Sequence, residues 1–71
     1  MNPHYSMVIQ WSEEDQAFLV TLPEFKEVYQ PCTHGSTYEE AAKNGGEVLE
    51  LLIETFQAEG RSLPEPALIQ V

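Results

Sequence analysis

The sequence has little that could staple a small fold together covalently: among its 71 residues Cys32 is the single cysteine. One thiol cannot close an intrachain bridge, which excludes a disulfide framework, and it is too few for a cysteine-rich zinc site. Positive charge is almost as scarce. Lys26, Lys43 and Arg61 stand against twelve carboxylates, for a formal net charge of -9. Such a surface repels phosphate backbones and anionic lipid, so no direct binding of nucleic acid and no membrane association is expected. No stretch approaches the roughly 20 apolar residues of a membrane span, and Met1 to Tyr5 has neither the basic nor the apolar region of a leader. The expectation is a soluble, cytoplasmic protein. A chain this short buries a modest share of its surface, so self-association is the staple that is left.

What is present is patterned. Tyr5, Met7, Ile9 and Trp11 alternate with Ser6, Val8 and Gln10, the period of a strand with one buried face. Ser12 to Gln16 is a polar break of hairpin length, and Phe18, Val20 and Leu22 resume the alternation in Ala17 to Leu22. Pro23 removes a ladder donor and ends that strand. The connection Glu24 to Pro31 leads to a third short strand expected around Cys32 to Gly35.

Thr37-Tyr38-Glu39-Glu40 has capping-box spacing: the Thr37 hydroxyl would accept from the Glu40 amide while the Glu40 carboxylate returns to the Thr37 amide. Tyr38, Ala41, Ala42, Gly45, Val48, Leu49, Leu52, Ile53 and Phe56 then recur at three and four residues, predicting one amphipathic helix over about Tyr38 to Glu59 with Gly60 as a left-handed cap. Gly45-Gly46 inside it should cost about 1 kcal/mol per glycine relative to alanine, which predicts a close approach of the helix backbone to the sheet. Pro64 and Pro66 end the helical region, and Ala67 to Val71 is apolar enough for a final strand. A right-handed crossover would lay it parallel to an earlier strand, giving a single α+β domain over residues 1–71: a small mixed sheet with one long helix on one face. Val8 and Leu19 lie opposite the main apolar stripes of their strands, so a homodimer or larger assembly is expected to cover the other face.

Taken in order, Tyr5 to Ile9, Ala17 to Phe25 with its strand-Pro-acid ending, Thr33-His34-Gly35, Thr37-Tyr38-Glu39-Glu40-Ala41 and Leu63-Pro64-Glu65-Pro66 resemble the HicB family across nearly the whole chain. In place of the short Pro-Gly-Cys turn common in that family stands the longer Lys26 to Cys32. The resemblance implies a truncated ribonuclease H-like β-β-β-α-β fold and binding to a small basic toxin that cleaves messenger RNA, called HicA. The chain stops at Val71 with no room for the family's carboxy-terminal DNA-binding module, so direct operator binding is not expected.

Chemistry is not expected from these residues. A ribonuclease H-like nuclease needs carboxylates converging from neighbouring strands onto two metal ions, and the strands supply none. Glu13, Glu14 and Asp15 cluster at a hairpin tip, where side chains splay into water. Cys32 and His34, two apart on a strand, would sit at roughly 7 Å, too far to act as nucleophile and base, and they make only half a zinc site. His4 is expected to be exposed near the terminus. No glycine-rich phosphate loop follows a strand, so no cofactor and no metal is expected, and the protein reads as a non-enzyme. The candidate partner-binding residues are acidic and form one of two patches: Glu47, Glu50 and Glu54 on the helix face opposite the apolar stripe, or Glu24 and Glu27 beside the second strand. They would steer a basic toxin and occlude its RNA-binding surface. The competing reading is an orphan HicB-like oligomer, a binding or regulatory module with no toxin partner.

Overall fold

In a computed structural model that describes residues 4–69, the chain forms three strands and one helix: β1 (Val8–Ser12), β2 (Ala17–Thr21), β3 (Thr33–Gly35) and α1 (Tyr38–Ala58). The strands make one antiparallel sheet in the order β1-β2-β3. Register places Ile9 opposite Val20 and Trp11 opposite Phe18. Because side chains alternate along a strand, these four share the face that meets the helix, while Val8, Gln10, Leu19 and His34 share the other. The protein is therefore a small α+β fold with one layer of helix on one face of a sheet.

Val20, Leu22, Phe25, Ala41, Leu49, Ile53 and Phe56 form the buried core, with Met7, Ile9 and Phe18 packed at its margin. Helix α1 crosses β3 and β2 and reaches β1 far less. Its close approach is fixed by glycines. A Cβ at Gly35 would collide with the backbone of Ala41, and one at Gly45 would come within 2.8 Å of Met7 Sδ and 2.9 Å of Val20 Cγ1. The expected tight packing thus falls on Gly45, whereas Gly46 meets nothing within 4 Å.

The helix ends follow from the sequence with one change. Thr37 Oγ1 accepts from the Glu40 amide at 3.0 Å, as the capping box requires. The Glu40 carboxylate does not return to Thr37. It accepts from the Ser36 amide at 2.7 Å and the Ser36 hydroxyl at 2.9 Å, one residue earlier. At the other end Glu59 is the cap and Gly60 takes φ 68°. The Gly60 amide donates to Gln57 and the Arg61 amide to Phe56, the paired bonds that close a helix through a left-handed glycine.

Strand limits differ from the sequence reading because side chains compete for the ladder. β1 starts at Val8 rather than Tyr5, since the Ser6 amide donates to the Glu24 carboxylate. β2 ends at Thr21 because the Leu22 amide and carbonyl are both taken by the Gln30 side chain. β3 begins at Thr33, although the Cys32 amide still donates to Val20. The expected final strand is not formed over Ala67 to Ile69, and Gln70 and Val71 lie outside the described residues. Among the described residues the sheet is antiparallel, not mixed. The reason is local: the Ala67 amide is held by Glu24, and Leu68 and Ile69 point into solvent.

Candidate functional site

Three of the five candidate glutamates are brought together and two are placed elsewhere. The stripe Ala41, Gly45, Leu49, Ile53, Phe56 turns one side of α1 to the sheet. At 3.6 residues per turn this sends Glu47, Glu50 and Glu54 to the opposite side, where all three are exposed. None of them has an ion pair among the described residues. They form a strip over about two turns, with the exposed Lys43 one turn before Glu47. Glu39 and Glu40 sit in the first helical turn, where negative charge complements the helix dipole. The Ser36 amide and then its hydroxyl hold the Glu40 carboxyl below its usual range.

Glu24 and Glu27 lie in the connection between β2 and β3, where their carboxylates are used by the chain itself. Glu27 pairs with the Arg61 guanidinium, which also reaches Glu59 at 3.3 Å. Arg61 stands 4.0 Å over the Phe56 ring, a cation held on an aromatic face. Both oxygens of Glu24 accept from the Ser6 amide, at 3.1 and 3.0 Å, and one also accepts from the Ala67 amide at 3.0 Å. Burial alone would raise the Glu24 pKa, but the Ala67 and Ser6 amides outweigh it and hold the carboxyl below its ordinary value.

The same connection carries an organiser that sequence reasoning missed. Gln30 donates from Nε2 to the carbonyls of Leu22 and Phe25, at 3.0 and 3.1 Å, and accepts from the Leu22 amide, so one side-chain amide stands in for a strand neighbour. Nothing in the spacing of the sequence marks that role.

On the far face of the sheet Asp15, Ala17, Leu19, Pro31, Cys32, Thr33 and His34 line an open depression of about 440 Å³. Burial pushes the Cys32 thiol up, which favours the unreactive protonated form, and Sγ lies 3.6 Å from the Val20 carbonyl. His34 is exposed. At the hairpin tip Asp15 accepts from the Ser12 hydroxyl at 2.8 Å, and Gln16 takes a left-handed φ of 52°. Among the described residues no three histidine, cysteine, aspartate or glutamate side chains gather as a metal ion would need. No helix among them is long and apolar enough to cross a membrane.

An aromatic trio completes the surface. The Phe18 ring lies 4.2 Å from Tyr38 and 5.0 Å from Trp11, centroid to centroid, and both neighbours are exposed because α1 begins over β2 and leaves the β1 side open. Comparison with protein-family models, with curated proteins and with solved structures finds no match to this chain.

Proposed function

We propose that this chain is a HicB-type, antitoxin-like interaction protein that binds a small basic HicA-type toxin and masks the surface with which the toxin cleaves messenger RNA. The observation that supports this reading is the outer face of α1. Glu47, Glu50 and Glu54 project from a rigid element, exposed and without an ion pair among the described residues. Unpaired carboxylates of one sign on a protein of net charge -9 raise the encounter rate with a cationic partner. Glu24 and Glu27, candidates for the same contact, would reach a partner only in competition with the amides and guanidinium they already engage. The action is masking and needs no catalytic group, so the protein is read as a non-enzyme of the cytoplasm, where messenger RNA is the toxin's target.

The finer fold belongs to the same proposal. Three antiparallel strands followed by a helix match the first four elements of the truncated ribonuclease H-like β-β-β-α-β outline. The fifth element of that outline is not formed over Ala67 to Ile69.

A second reading, an orphan HicB-like oligomer, is favoured by the face of the sheet away from the helix. Val8 is 41% exposed there beside the half-buried Leu19, and a second copy would cover both. The deciding experiment is co-purification with whichever small basic protein is encoded beside this one, followed by an RNA-cleavage assay. A stable complex in which cleavage is suppressed is expected. Unsuppressed RNA cleavage by that neighbour in the presence of an excess of this protein, with this protein sedimenting as an oligomer on its own, would decide for the orphan reading.

A further inference from the structure

The two ends of the described chain meet at one carboxylate. Ser6 lies 18 residues before Glu24 in sequence and Ala67 lies 43 after it, yet both backbone amides donate to the same side chain. A second contact joins the same segments: the Tyr5 hydroxyl donates to the Pro64 carbonyl at 2.7 Å. Beneath them Tyr5 stacks edge-on against Phe25 at 5.0 Å, and Phe25 against Phe56 at 5.5 Å. The run from Arg61 to Ile69 has no regular structure of its own, and Leu63 is its foothold on the core.

From this geometry we infer that Glu24 is a protonation-controlled clasp: as a carboxylate it holds the segments around Ser6 and Ala67 together over the Phe25–Phe56 floor, and as a neutral acid it releases both at once. The inference is independent of the toxin-binding reading. Amide bonds to a carboxylate are roughly twice as strong as bonds to a neutral acceptor. A protonated Glu24 loses its charge and brings an O–H donor to a site that already supplies donors, so the bonds from Ser6 and Ala67 to its oxygens weaken together. Among the described residues four titratable side chains line the space around the clasp: Tyr5 from the first segment, Glu65 from the last, and Lys26 and Glu27 from the connection itself. Burial, then Glu24 and Glu65, push the Tyr5 hydroxyl up, so it stays neutral wherever Glu24 titrates. Glu65 can add repulsion to the Glu24 carboxylate but has no place in the pair of amide bonds. Release is expected to spare the core, because Val20, Leu22, Leu49 and Ile53 are buried while the two segments reach it only through the partly buried Tyr5, Met7 and Leu63.

The test is a pH series of amide spectra on the whole chain. Ser6 and Ala67 should shift along one shared titration, with a midpoint below the ordinary glutamate value, while Leu49 and Ile53 stay still. Glu24→Gln keeps the shape and one acceptor oxygen but removes the charge. It should place both amides at their low-pH positions already at neutral pH and speed their hydrogen exchange about tenfold. Tyr5→Phe removes the neighbouring bond and should leave the shared titration in place. Separate midpoints for Ser6 and Ala67, an unchanged Glu24→Gln spectrum, or loss of protection at Leu49 and Ile53 in step with the two amides would each overturn the clasp.

Discussion

The outer face of α1 and the connection after β2 carry the same kind of residue under opposite circumstances. Glu47, Glu50 and Glu54 are exposed and make no ion pair among the described residues, whereas Glu24 and Glu27 sit where distant segments of the chain come to them. A carboxylate in the middle of a helix finds no free amide on that helix, because past the first turn the amides are bonded within it. A carboxylate on a connection can find one, and the two amides at Glu24 come from parts of the chain that form no ladder there. The comparison teaches that negative charge is a surface property at one region and a structural tie at the other.

Substitutions can break or sharpen this contrast. The largest effect is expected from Phe56→Ala, which removes the aromatic floor under the connection and should cost about 3 to 5 kcal/mol of stability in chemical denaturation. Glu24→Ala should cost about 1 to 2 kcal/mol at neutral pH, since charge-assisted bonds are lost but water can reach part of the site. Because the Glu24 pKa is lowered in the folded state, its contribution is present above the ordinary glutamate value and is lost as the pH falls through the lower folded value. The difference between wild type and Glu24→Ala should therefore shrink in acid, and a constant difference would remove Glu24 from the structural side. Thr37→Ala should cost about 1 kcal/mol by removing the acceptor for the Glu40 amide. The smallest effect on stability is expected from reversing Glu47, Glu50 and Glu54 together to lysine, within about 0.5 kcal/mol. A loss of several kcal/mol there would mean that the two regions are alike.

How much of this was legible beforehand depended on the range of the interactions. The helix and the hairpin were readable because their signals are local: Thr37 and Glu40 lie one turn apart, and Ser12 to Gln16 divides two alternating runs. The Gly45 contact was readable as a cost that needed a reason, and Met7 and Val20 supply it. Gly46 shows the limit of that argument, as no close neighbour accounts for it. The start of β1 at Val8 and the end of β2 at Thr21 were not readable, because a carboxylate and a side-chain amide outcompete the ladder for Ser6 and Leu22. For the same reason Ala67 to Ile69 read as a strand from composition, while its first amide is committed to Glu24. Of the candidate site, the helical glutamates were placed correctly by periodicity alone. Glu24 and Glu27 read from the sequence as an alternative acidic patch, and only the fold shows their carboxylates engaged by Ser6, Ala67 and Arg61.

Ser6 and Ala67 both lie within 3.1 Å of one side chain, which makes the molecule nearly circular in its connectivity. A permuted chain, with Ile69 joined to His4 by a short flexible linker and new ends opened at Glu14 in the hairpin tip, would still have Glu24, Ser6 and Ala67 within reach of one another. Its helix and its pairing of β2 with β3 would be untouched, and β1 would be recruited to the sheet across the new linker instead of across the old turn.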